Sequence, residues 1–177
     1  MSALTPLIKT PNRRIALIAA GVMCLDQLTK AVVQHWLGGV GQEKIVISGF
    51  FKFVHWENTG AAWSIFRDNN TILALVAVIA LGVLYFSRHH FDVRTPLSQV
   101  AFGLICGGIV GNLIDRVHEG HVVDFLYFYL QQRGGGEIGF PAFNVADSAI
   151  CTGVGLVFLL SLKADRKPKE AESAPAK

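Results

Sequence analysis

Four stretches of the chain, roughly residues 15–36, 70–86, 97–117 and 140–162, are apolar over nearly the length that a helix needs to cross a bilayer core, about 20 residues. A soluble domain of 177 residues has too little interior to hide four such runs. Composition agrees: 51% of residues are hydrophobic, only 16% are charged, and the mean hydropathy is positive. The second run is slightly short, which tilt or local thinning of the bilayer accommodates. The expected fold is therefore mainly α and integral to a membrane, with four transmembrane helices. One membrane-embedded domain is expected over residues 1–163, and a disordered cytoplasmic tail over 164–177. Arg13 and Arg14 precede the first run as they would in a signal peptide. However, Asp26, Gln27 and Lys30 stand where a small-residue cleavage site would be needed, so this run reads as a retained anchor.

Four spans put both termini on one side. Ten of the 16 Lys and Arg residues fall in the two termini and in the segment between the second and third runs. The other two loops hold only Lys44, Lys52, Arg67 and Arg133, while Lys30 and Arg116 lie within spans. The positive-inside rule then places the termini in the cytoplasm and these two loops outside. The net charge of +3 calls for no nucleic-acid partner. Cys24, Cys106 and Cys151 all lie in apolar runs, form no metal-ligand pattern, and read as small core hydrophobes.

The first outer loop contains KIVIS, then Gly49, then FFKFVHWE, which reads as two short strands around a turn. Its aromatics, Phe50, Phe51, Phe53, Trp56, Trp63 and Phe66, suit a membrane–water interface. The second outer loop carries VVDFLYFYL, rich in β-branched and aromatic residues, and then the Gly134–Gly136 run. Pro141 is placed to start the fourth helix. In the third run Gly103, Gly107, Gly111 and Asp115 recur every fourth residue, beside a ridge of Gly108, Asn112 and Arg116. Glycines at that spacing let another helix approach closely. Packing explains the glycines; it does not explain why both ridges turn polar at their outer ends.

Four carboxylates lie in or against the spans: Asp26, Asp115, Asp124 and Asp147. An ionised carboxylate beside hydrocarbon needs a partner or a function. All four fall toward the outer side. Asp26 has a ready partner in Lys30 at i+4. Asp115 and Arg116, adjacent and so pointing apart, suit a structural ion-pair network. Asp147, read as about two turns into the fourth helix with Asn144 and Ser148 beside it, suggests a polar pocket wall. If Asp147 faces Asp124, the two cannot both ionise easily, so the pair shares a proton. The ionised member can then take a proton from water, and the protonated one can donate to a carbonyl oxygen. The parts for cysteine or HExxH zinc chemistry are missing. A small proton- or ion-coupled transporter would also place carboxylates in spans, but would spread them through the membrane's depth.

DQLTK at 26–30, ENTGAAWSIF at 57–66, GGIVGNLIDR at 107–116, VVDFLYF at 122–128 and FNVADSAI at 143–150 together resemble lipoprotein signal peptidase, the type II signal peptidase of bacteria. The resemblance runs from the first helix to the fourth. It implies an aspartic endopeptidase of the bacterial cytoplasmic membrane that cuts prolipoproteins just before a cysteine already carrying diacylglycerol. It implies a catalytic dyad on Asp124 and Asp147. Substrate-binding or dyad-supporting positions then fall on Asp26, Asn58, Gly60, Asn112, Asp115, Arg116 and Asn144. It further implies a small extracytoplasmic β-cradle, a short surface helix, no metal or cofactor, contact with membrane lipids, and inhibition by globomycin-type cyclic peptides. The active site is expected near the outer leaflet surface of a monomer.

Overall fold

A computed structural model describes residues 10–60, 69–88 and 93–166. Trp63, Phe66 and Arg67 of the aromatic loop, and the tail from residue 167 onward, lie outside the described residues. Four helices of span length and hydropathy are present: α1 (Pro11–Leu37), α2 (Asn70–Ser87), α3 (Pro96–His118) and α4 (Val145–Arg166). Each of the four expected spans is found. Two begin as sequence chemistry dictates. Thr10 and Thr95 each accept a backbone N–H three residues on, and Pro11 and Pro96 follow at positions where a missing N–H costs nothing.

The fourth helix corrects the sequence reading at both ends. It starts at Val145, because residues 140–144 are used otherwise: Phe143 pairs with Leu126 in an isolated antiparallel bridge. Pro141 therefore lies before the helix rather than at its start. At the other end α4 continues to Arg166, past the boundary expected at Lys163.

Helix α3 is the centre of the bundle. Of its span 56% is buried, against 6–17% for the other three. Its two ridges face different helices. A Cβ on Gly103 or Gly107 would collide with Ile18, or with Ala19 and Val22, of α1. One on Gly108 would strike the Ala146 carbonyl of α4. Gly153 of α4 returns the arrangement, lying against Ala101 and Ile105. The backbones thus approach as only glycine allows. The cysteines fall elsewhere than expected: Cys24 and Cys151 are exposed on the outer surface of the bundle, because glycines and polar side chains occupy the packed faces.

Outside the spans, both loops build one antiparallel sheet in the order β1 (Glu43–Ile47), β2 (Phe51–Asn58), β3 (Val122–Gln131), β4 (Glu137–Gly139). The β1–β2 hairpin is the one the sequence indicated, turning at Gly49 with φ 75°. The second hairpin comes from the other loop, and the β2–β3 pairing, with Trp56 opposite Asp124, joins the two. Stacked Phe51, Phe128 and Phe143 rings line the sheet, and Trp36 at the end of α1 meets Phe53 edge-on. Buried Lys52 of β2 ties both edges, reaching Glu43 at 2.7 Å and Glu137 at 2.9 Å.

Gly107→Leu should lower stability in lipid micelles by about 2 kcal/mol or more, since the Ala19 backbone cannot yield. Gly82→Leu on α2, where a side chain meets nothing within 4 Å, should leave the thermal midpoint nearly unchanged.

Candidate active site

Where the C-terminal ends of α1 and α3 meet the start of α4, the ammonium of Lys30 is almost completely buried. It donates to Asp26 Oδ2 at 2.7 Å and Asn112 Oδ1 at 3.0 Å, and it forms an ion pair with Asp115 Oδ2 at 2.7 Å. An ammonium has donors and no acceptor, and here it is surrounded by oxygens that can accept. The expected Asp26–Lys30 pair is therefore present, but as one arm of a larger hub. Gln27 extends it by donating to Asp115 Oδ1 at 2.7 Å and to the Gly111 carbonyl at 3.2 Å.

Each carboxylate of the hub also fixes a second element. Asp26 Oδ1 accepts the Ala146 N–H at 2.9 Å, capping the first turn of α4 from the neighbouring helix. Asp115 Oδ2 accepts the Val123 N–H at 3.2 Å and so anchors the start of β3. Gly111 explains why Asp26 fits: a Cβ there would lie 2.6 Å from its Oδ2.

Asp147 sits in the first turn of α4, not two turns in. The Asn144 side chain accepts the Asp147 N–H at 2.9 Å, and Asp147 Oδ2 accepts the Asn144 N–H at 3.2 Å. This reciprocal exchange is a capping box with aspartate in the place usually held by glutamate. Asp147 Oδ1 accepts from Asn112 Nδ2 at 2.7 Å. Ser148, grouped with Asp147 in the sequence reading, is exposed, and its hydroxyl donates back to the Asn144 carbonyl. One residue is about 100° around a helix, too far to share a wall.

Asp124, on β3, completes the arrangement. Its Oδ1 accepts from Asn144 Nδ2 and its Oδ2 from Asn58 Nδ2, each at 2.9 Å. Asn144 thus holds both Asp124 and Asp147. Burial raises the Asp124 pKa to about 7, and the nearby Asp147 charge adds to the effect; the bonds from Asn58 and Asn144 and the Lys30 charge oppose it. Asn58 in turn accepts the Gly60 N–H at 2.9 Å, and the Gly60 carbonyl accepts from Arg116 at 3.2 Å. A second Arg116 nitrogen donates to the Asn112 carbonyl at 3.3 Å.

All nine residues singled out in the sequence thus belong to one continuous polar network. Lys30 and Gln27 were not among them, and neither was Asn70, which donates to the Arg116 carbonyl at 2.7 Å. The signal for Lys30 was available: a cation inside an apolar run, one turn from a carboxylate, needs more partners than one. The aspartate pair has the features of a proton-sharing acid–base site, namely burial, proximity and fixed donors.

The sequence pattern of the family described as signal peptidase (SPase) II matches residues 18–163. The lipoprotein signal peptidase of Symbiobacterium thermophilum is 41% identical over 151 residues, covering 85% of this chain and 95% of its own. That of Azoarcus sp. is 42% identical over 159 residues, covering 87% and 85%. That of Bacillus pumilus is 37% identical over 157 residues, covering 88% and 96%. A solved structure described as a bacterial membrane enzyme, 32% identical, superposes with a TM-score of 0.76 over 92% of this chain and 94% of its own. A transporter, the alternative that the sequence left open, has no support among these relatives. The chain belongs to the signal peptidase II family.

Proposed function

We propose that Asp124 and Asp147 carry out the peptide hydrolysis by which this aspartic endopeptidase removes signal peptides from prolipoproteins. The observation that carries the reading is the single Asn144 residue bonded to both carboxylates, by its side-chain amide to one and its backbone N–H to the other. In the working state the pair holds one proton. The ionised carboxylate removes a proton from a water molecule as that water attacks the scissile carbonyl carbon. The protonated carboxyl donates to the carbonyl oxygen. The proton taken from water then passes to the leaving amine as the C–N bond breaks, and a hydroxyl of the gem-diol returns its proton to the other carboxylate as the carbonyl re-forms, so the pair again holds one proton.

The substrate is a prolipoprotein whose cysteine carries diacylglycerol, cut just before that cysteine. A lipid-anchored substrate holds its scissile bond near the membrane surface. The positive-inside pattern supports an active site facing the outer leaflet of the bacterial cytoplasmic membrane, with both termini inside. Asn58 and Asn144 orient Asp124, Asn112 and Asn144 orient Asp147, and the Asp26–Lys30–Asp115 cluster supports the amides. Arg116, through Gly60, holds the Asn58 turn against β3. Globomycin-type cyclic peptides inhibit the enzyme, which works as a monomer without a metal.

Asp124→Asn and Asp147→Asn, each confirmed as folded in membranes, should lose at least about a thousandfold in cleavage of a diacylglyceryl prolipoprotein. Near-normal cleavage by either would refute the dyad. The proton on Asp124 is held up to about pH 7 and is lost above it. Therefore kcat/KM, measured as cleavage across a pH series, should fall as pH rises through about 7, roughly tenfold per unit on that limb.

A further inference from the structure

No chemical step of the mechanism passes through Lys30, yet its ammonium meets three members of the network, Asp26, Asp115 and Asn112. An ammonium can only donate, so the 3.0 Å contact obliges Asn112 to present Oδ1 to Lys30. The amide is planar, and its Nδ2 must then face the other way, toward Asp147 Oδ1 at 2.7 Å. Asn144 donates to the same Asn112 Oδ1 at 3.1 Å, which reinforces that orientation. Were Asn112 turned over, its Oδ1 would face the Asp147 carboxylate, two acceptors with no hydrogen between them.

We infer that Lys30 is a positioning residue for the dyad: through Asn112 it holds Asp147 as the acceptor, so that Asp147 is the resting base and Asp124 carries the shared proton. The structure supports the same order from the other side. Asp147 lies in the first turn of α4, where the helix dipole favours negative charge, whereas Asp124 lies on a strand with no such field. Among the described residues, the charged groups around the pair are Asp26 and Lys30 on α1, Asp115 and Arg116 on α3, and the Glu57–His121 contact at 3.5 Å beside the β2–β3 pairing. Of these, Lys30 is the cation bonded to the side-chain amide that donates to the dyad, whereas Arg116 meets the same residue at its backbone carbonyl. In the catalytic step no bond is made to Lys30: Asp147 takes the water proton while Asp124 gives its proton to the carbonyl oxygen.

The inference rests on the dyad reading and can fail separately from it. Asn112→Leu leaves both Lys30 ion pairs in place and removes the donor to Asp147 together with the Oδ1 that accepts from Lys30 and Asn144. It should lower kcat roughly a hundredfold with KM little changed, and move the acid side of the pH–rate profile up by about one unit. Lys30→Met should do the same per folded molecule. Combined with Asn112→Leu it should add less than about threefold, because both act on one path. Lys30→Met leaves Asp26 and Asp115 short of a cation, so the cycle is repeated in an Asp115→Asn background, which keeps the charge balanced. A purely structural Lys30 would lower the folded fraction and leave kcat per folded molecule and the pH profile unmoved. That result, or independent effects that multiply, overturns the inference. It leaves the dyad standing if Asp124→Asn and Asp147→Asn are inactive.

Discussion

Lys30 carries a charge into the interior of a membrane bundle, and the polar network of the candidate site is arranged around that fact. Neither the charge nor its partners could remain buried alone; transfer of an isolated ion from water costs many kcal/mol, and only close, hydrogen-bonded counter-charges offset it. Two carboxylates and one amide oxygen surround the ammonium. Those carboxylates use their remaining oxygen valence on backbone N–H groups of α4 and β3. One cation therefore fixes where the fourth helix begins and where the third strand begins, and these are the two elements that carry the candidate dyad.

The glycine ridges make this possible. A polar hub of this density needs helices closer together than side chains normally permit. Gly111 supplies the room for the Asp26 carboxylate, and Gly107 and Gly108 bring α1 and α4 against α3. The close approach and the polar cluster are one design: without the first, the ammonium would stand apart from its acceptors, and without the second, the outer ends of the ridges would carry uncompensated charge in hydrocarbon.

How much of this was legible in the sequence depends on the range of each interaction. The spans were legible because length and hydropathy are local. So was the β1–β2 hairpin, closed by a turn at Gly49. The convergence of Asp26, Asp115, Asp124 and Asp147 followed from counting depth along each span. The start of α4 was not legible, because Pro141 is a good local start signal and the competing signal, a bridge from Phe143 to Leu126, is a tertiary contact. For the same reason the joining of two loops into one sheet was missed: nothing in either loop names its partner strand. The cysteines were misread because composition does not say which face of a helix packs.

Asp124 and Asp147 belong to different mechanical bodies, one to the sheet and one to the bundle. What couples them is the short seam just before Asn144, where Phe143 exchanges backbone hydrogen bonds with Leu126 and also accepts from Phe125. The separation of the two carboxylates is therefore tied to the stiffness of a joint a few residues long. A perturbation there would be felt as a change of gearing between two sound parts: a protein fully assembled in its membrane, with both halves of its candidate pair intact and out of step.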